Sequence, residues 1–212
     1  MEYQLSPSKL NLLEDCPRCF WLAVVKKIDR PSGPMASIAI KMDSIIKHYF
    51  NKYRELGQLP PIIDGKIKGK LPNNMPKTLK HNEGNGIVLM GRPDEYFELE
   101  DGSIVAFDHK TKSKAPDGTH PAYQLQLDVY SYLLKVNGYK TTNKAFLAYY
   151  HPDDCDIHNG MCMHCSVVEV KTSPDRVTGI VKKTQKILNG EIPKCSDNCE
   201  FCKWVDKNTM FK

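Results

Sequence analysis

Between positions 94 and 110 the chain alternates apolar and polar residues twice, with a break between the two runs. Glu95, Phe97 and Leu99 alternate with Asp94, Tyr96 and Glu98, then Asp101-Gly102 interrupts, and Ile104 to Lys110 alternates again. Strand side chains point to opposite faces with period two, so the pattern predicts two antiparallel strands joined as a hairpin. Register decides which side chains meet. A two-residue loop would pair Glu95 with Asp108 and send Asp94 to the other face. A three-residue loop at Asp101, Gly102 and Ser103 pairs Phe97 with Phe107, Leu99 with Val105 and Asp94 with Lys110. The second register is expected. It gathers Phe97, Leu99, Val105 and Phe107 on one apolar face and leaves Asp94, Asp108 and Lys110 together on the other.

Elsewhere the apolar spacing is helical. Ser6-Pro7 supplies a cap and a first-turn proline for a helix running toward Cys16. A second helix fits Ala36 to about Leu56. After the hairpin, Ala122, Leu125, Val129, Leu133 and Val136 form a stripe on a helix that starts near Pro121 and stops at Asn137-Gly138. Two further strands fit Lys144 to Tyr150 and Ser166 to Lys171. A fourth helix fits Pro174 to about Leu188, closed by Asn189-Gly190. Repeats and low-complexity tracts are absent from the sequence.

With 212 residues, 41% of them hydrophobic, the chain can bury one substantial core, and a single domain over 1–212 is expected. No apolar run is long enough to span a bilayer, and no segment reads as a signal peptide. The expectation is a cytoplasmic protein without a membrane partner. The net charge of +5 is compatible with a polyanion but does not point to one. Lys66, Lys68, Lys70, Lys77 and Lys80 cluster in a stretch with four prolines, which reads as a loop or excursion facing a substrate, or equally as a solvated loop.

Two carboxylates and a lysine on neighbouring strands can hold a divalent metal beside a phosphodiester and activate water. On the third helix, Gln126 and Tyr130 lie four residues apart and leave on one face. The run Gly91-Arg92-Pro93-Asp94-Glu95, then Asp108-His109-Lys110-Thr111, then Gln126-Leu127-Asp128-Val129-Tyr130 resembles the RecB-like branch of the PD-(D/E)xK nucleases in order and spacing. The resemblance covers nearly the whole chain. It implies an α/β, restriction-endonuclease-like core with a mixed central sheet flanked by helices.

It also implies roles. Asp94 and Asp108 would ligate Mg or Mn, hard cations that take oxygen ligands, with the backbone carbonyl of His109 completing the protein's share. Lys110 would orient the attacking water or offset charge in the transition state. Gln126 and Tyr130 would hold the DNA backbone or the metal-bound water. Members of the branch add a metal-binding histidine from an earlier helix, and His48 is the candidate; Ser44 stands where the pattern has glycine, and Asp43 is the alternative ligand.

Eight cysteines carry a second signal. Cys16 and Cys19 form one CxxC, and Cys199 and Cys202 form another; such pairs each give two ligands to a tetrahedral metal or a cluster. The resemblance extends to CRISPR-associated iron-sulfur exonucleases and AddB-type nuclease domains. It implies a 4Fe-4S cluster that staples an N-terminal segment (1–35) to a C-terminal one (190–212). Zinc is the alternative metal, since four thiolates suit both. Cys16, Cys19, Cys199 and Cys202 are the expected ligands, with Cys195 in place of Cys19 as the alternative. Cys155, Cys162 and Cys165 are expected to be free thiols in a loop, or else a second small site completed by His158 or Cys195.

The function expected from the resemblance is that of a Mg- or Mn-dependent exonuclease on single-stranded DNA. It would act in recombination, repair or CRISPR spacer processing, with protein partners from such a complex. The alternative is a non-catalytic, cluster-stapled DNA-binding or adaptor module.

Overall fold

The computed structural model describes residues 2–33 and 37–209; Ala36, the expected start of the second helix, lies outside the described residues. The chain enters through a short strand, β1 (Tyr3–Leu5), and helix α1 (Pro7–Asp15), whose N-cap Ser6 accepts from the Lys9 amide. Helix α2 (Pro17–Trp21) continues into a π-type turn over Leu22–Lys26, ended by Lys27 in the left-handed region. Helix α3 (Ser37–Glu55) follows. Next come β2 (Gly69–Lys70), β3 (Leu79–Gly84) and β4 (Ile87–Gly91). The hairpin is β5 (Glu95–Leu99) and β6 (Ile104–Thr111). Helix α4 (Pro121–Val136), β7 (Lys144–Pro152), β8 (Met163–Lys171), α5 (Pro174–Leu188) and α6 (Glu200–Thr209) complete it. No described helix is long and apolar enough to cross a membrane.

Five strands form a mixed sheet in the order β2-β5-β6-β7-β8. The β5/β6 and β7/β8 pairs are antiparallel, whereas β6 and β7 run parallel across α4, as a crossover through a helix requires. Alternation along β6 and β7 divides the layers. Val105, Phe107, Phe146, Ala148 and Tyr150 pack with Ile46 and Phe50 of α3 and with Ile63 and Ile67. Ala106, Ala145, Leu147 and Tyr149 face the other way, onto Leu127 and Tyr130 of α4. Helices therefore cover both faces of the sheet, the expected α/β architecture. A separate three-stranded sheet, β1-β4-β3, packs with α1, α4 and α5 around Leu10, Leu89, Leu133 and Val181.

The hairpin register differs from the expectation. Phe97 pairs with Val105 and Glu95 with Phe107, so the partners are offset by two residues from the expected Phe97–Phe107 pairing. The loop does have three residues, but they are Glu100, Asp101 and Gly102, closed by a bond from the Leu99 amide to the Ser103 carbonyl. Gly102 adopts φ 76°, and the Asp101 carboxylate accepts from the Ser103 amide at 2.9 Å. A type I turn followed by a left-handed glycine suits a three-residue hairpin loop. An offset of two preserves the faces, so Phe97, Val105 and Phe107 still share one apolar layer, with Phe97 and Phe107 stacked as diagonal neighbours at 6.2 Å.

The lysine-rich stretch is not one substrate-facing loop. Ile63, Ile67 and Leu71 anchor it in the core, the Lys66 ammonium donates to the Cys165 carbonyl at 2.7 Å, and Lys70 pairs with Glu98. Lys80 belongs to β3.

Candidate active site and cysteine cluster

Continuing the β5/β6 register by one residue beyond the Glu95–Phe107 pair places Asp94 across from Asp108. The Asp94 carboxylate accepts from the His109 amide at 3.1 Å, which fastens it to the partner strand. Asp108 is only 1% exposed. One of its oxygens accepts from Gln126 Nε2 at 3.2 Å, and the other is paired with the Lys110 ammonium. Burial, together with the charge of Asp94, pushes the Asp108 carboxyl up to about 7, against the pull of Lys110. Two carboxylates that resist sharing a small space are stabilised by a cation between them. The donor set is all oxygen and suits Mg or Mn.

Helix α4 supplies the rest of this wall. Gln126 Nε2 also donates to the Tyr130 hydroxyl at 2.8 Å, and that hydroxyl donates to the Arg92 carbonyl at 3.0 Å. Tyr130 is buried, and its pKa is raised mainly by that burial, so it stays neutral. Its hydroxyl is thus committed to the segment just before Asp94. The close fit is possible because Gly91 has no side chain: a Cβ there would lie 2.7 Å from Leu133 Cδ1.

The His109 ring points to the opposite layer. It packs edge-on against Phe50 and Phe107, with Nδ1 3.2 Å from the Tyr150 hydroxyl. Burial pushes its pKa down to about 4, and Nε2 is buried without a partner. Any part His109 plays at the carboxylates therefore falls to its backbone. His48 is exposed and is not gathered with Asp94 and Asp108; among the described residues, only the four cysteines form a group of three or more such ligands within 4.8 Å. Asp43 and Lys47 lie four apart on α3, with the Lys47 ammonium 2.8 Å from Asp43 and 3.9 Å from Asp94.

Sequence reasoning missed Lys47, and also the Arg54–Glu95 pair. Glu95 is buried beside Asp94, paired with Arg54, and burial pushes its carboxyl up to about 7 despite that partner. A cleft of about 540 Å³ opens here, lined by Lys47, Arg54, Lys77, Arg92 and Asp94 among others. The signal available in the sequence was Asp43 and Lys47 at i, i+4 on an amphipathic helix.

At the other end, α1 stops at Cys16 and α2 carries Cys19, while Cys199 immediately precedes α6 and Cys202 lies in its first turn. All four are buried. Their sulfurs approach to 4.0 Å (Cys16–Cys202), 3.6 Å (Cys19–Cys199) and 3.7 Å (Cys19–Cys202). Cys195 lies beside the group but outside it. Four thiolates at about 2.3 Å from one tetrahedral ion stand about 3.8 Å apart. The observed spacing matches that arrangement. In a four-iron cluster each thiolate binds a different iron, so the sulfurs must spread wider than they do around a single ion. Arg30 donates to the Cys199 sulfur at 3.3 Å and pairs with Asp15, which offsets thiolate charge.

The remaining cysteines do not assemble the second site. Cys165 is buried among the core residues near Ile46 and Phe50, Cys195 is with the other cluster, and the Cys155 sulfur accepts from the Cys162 amide at 3.1 Å in the β7–β8 connection. His164 instead contacts Asp153 at 2.6 Å.

A mixed sheet between helices, with paired aspartates, a lysine and a glutamine gathered on one face of its central hairpin, is the architecture of a metal-dependent nuclease. The chain belongs to the PD-(D/E)XK nuclease superfamily, whose family model matches residues 62–206. Among solved structures it is similar to SSO0001, at 18% identity and a TM-score of 0.48 over 97% of this chain and 85% of that one. It is also similar to the alkaline exonuclease LHK-Exo from Laribacter hongkongensis, at 11% identity and a TM-score of 0.45 over 99% and 95%. The LHK-Exo complex with dAMP gives 13% and 0.43 over 98% and 94%. No curated protein matches the chain.

Proposed function

We propose that this chain is a single-domain, RecB-like deoxyribonuclease of the cytoplasm, dependent on Mg or Mn, that trims single-stranded DNA as an exonuclease in recombination, repair or CRISPR spacer processing. The observation that carries this reading is the facing of Asp94 and Asp108 across the hairpin with Lys110 and Gln126 on the buried carboxylate. Both carboxylates, with the His109 carbonyl, would hold the divalent ion, whose chemistry when bound would be to make water nucleophilic and polarise the phosphodiester. Lys110, on the same strand face as Asp108, would orient the attacking water or meet charge growing on the phosphoryl oxygens. Gln126 and Tyr130 position rather than react: Gln126 fixes the Asp108 carboxylate, and Tyr130 ties α4 to Arg92 beside Asp94. Lys47, Arg54, Lys77 and Arg92 give the cleft a positive lining for the phosphate backbone.

The four cysteines serve as a structural staple. Their spacing supports a single tetrahedral ion, zinc before iron, in place of the 4Fe-4S cluster that the resemblance implies. The test of the enzymatic reading is cleavage of end-labelled single-stranded DNA with Mg or Mn. Cleavage that EDTA stops and Asp108→Ala abolishes supports it; metal-independent DNA binding without any cleavage would indicate an adaptor.

A further inference from the structure

Two lysines next to the aspartate pair converge on one aromatic ring. Tyr123 stands in the first turn of α4, three residues before Gln126 and seven before Tyr130, so all three leave the helix toward the same side. The Lys110 ammonium, already paired with Asp108, lies 4.9 Å from the centre of the Tyr123 ring. The Lys112 ammonium lies 5.7 Å from it and 5.3 Å from the Tyr149 ring. The fully buried Tyr149 backs Tyr123 at 6.5 Å between centroids, and His120 flanks it at 5.6 Å. His120 is itself held, accepting from the Ala122 amide at 3.2 Å. Tyr123 remains half-buried, with its ring edge supported and part of its surface open.

A supported aromatic ring, rimmed by lysines and one ammonium away from the reacting phosphate's position, has the chemistry of a single-strand nucleic-acid subsite. Bases stack on such rings whatever their identity, while the ammonium groups follow the backbone. Resting on the nuclease reading above, we propose that Tyr123 and Lys112 form a nucleobase-stacking subsite that holds an unpaired nucleotide beside the scissile phosphate and gives the enzyme its preference for single-stranded DNA. Without substrate the ring holds the two ammonium groups. Phosphates attract them more strongly than a π face does, so bound DNA draws them off and opens the ring to the base. In a duplex each base is already stacked and paired, and cannot make this contact without being unstacked first.

The experiment compares oligothymidylate with a base-free strand of the same length, carrying tetrahydrofuran spacers in place of nucleotides. Cleavage is read with Mn, and binding by fluorescence anisotropy without added Mn, for the wild type, Tyr123→Phe and Tyr123→Leu; Leu keeps apolar bulk, and a melting curve checks that it folds. The wild type and Tyr123→Phe should favour the strand with bases by about five- to 150-fold. Tyr123→Leu should lose that preference by weakening only on the strand with bases. The proposal is overturned if the wild type shows no base preference, if Tyr123→Leu keeps it, or if that variant weakens equally on both strands, since Tyr123 would then merely hold Lys110. Failure of the wild type to cleave either strand removes the nuclease reading alone. The anisotropy comparison still decides the subsite, supporting it if Tyr123→Leu abolishes a base preference and overturning it otherwise.

Discussion

A Cβ on Gly91 would lie 2.9 Å from Cδ1 of Tyr130, so the strand that leads to Asp94 and the helix that carries Gln126 meet with no room for a side chain between them. This contact fixes how far α4 stands from the hairpin, and hence whether Gln126 reaches Asp108.

Gly91→Ala should therefore act on stability and on the site together. Overpacking of this kind costs about 1–3 kcal/mol, and the melting temperature should fall by about 2–10 °C. Cleavage should fall further than Tyr130→Phe alone reduces it, because Gln126 moves as well. A Gly91→Ala protein that melts and cleaves like the wild type would show that α4 can shift freely.

The buried Asp108 carboxyl titrates near 7 in the folded chain, against 3.8 as its ordinary value. Between these the native state keeps a proton that the unfolded chain has lost, so this group lowers stability as pH rises from about 4 to about 7. Asp108→Asn removes that titration. Without added Mg or Mn it should melt above the wild type at pH 8, with the gap closing toward pH 5, while cleavage is lost at every pH. A variant that melts lower at pH 8 would reverse the sign.

The same proton competes with the metal. Below pH 7 the apparent affinity for Mg or Mn should weaken by about tenfold per pH unit for each proton displaced, and added metal should restore the rate. Metal titrations of cleavage at pH 6 and 8 check this; equal midpoints would separate Asp108 from metal binding.

His48 offers a sharp contrast with Lys47. Both are exposed, but the Lys47 ammonium lies 3.9 Å from Asp94. His48→Ala should keep its rate within about twofold and an unchanged Mn midpoint, since exposed substitutions away from special contacts perturb little. Lys47→Ala should bind single-stranded DNA more weakly, with a shallower salt dependence. Loss of metal affinity in His48→Ala would restore the histidine as a ligand.

The four-cysteine group closes a loop of nearly the whole chain, and metal binding there is coupled to folding. Purified protein should carry one zinc per chain and no brown colour. Cys199→Ser should lose that metal and melt lower, whereas Cys195→Ser should keep it, because Cys195 stands outside the group. Iron in fourfold excess over chains, with absorbance near 400 nm, would favour the cluster instead.

The hairpin's faces were legible in the sequence because burial enforces period two: Phe97, Val105 and Phe107 had to share one layer, and Asp94, Asp108 and Lys110 followed onto the other. The third and fourth helices were equally legible from their apolar stripes and their Asn-Gly stops, and match Pro121–Val136 and Pro174–Leu188. The CxxC motifs marked the cysteines as metal ligands, but three such motifs stand in the chain, and only the fold brings Cys16 and Cys19 to Cys199 and Cys202 while leaving Cys162 and Cys165 apart.

What alternation could not reveal was register, because a slip of two residues leaves every side chain on its own face. The turn at Glu100–Gly102 decided it, and with it the placing of Asp94 across from Asp108 rather than Lys110. Strands β1 and β3 also escaped, being too short or too polar to announce themselves without neighbours to pair with, as did β4, whose apolar run Ile87–Met90 shows no polar alternation. The same holds for the contacts that complete the site. Lys47 at Asp94, Arg54 on Glu95, and two lysines over Tyr123 join residues distant in sequence. Only the packing of α3 and α4 on opposite faces of one sheet brings them together.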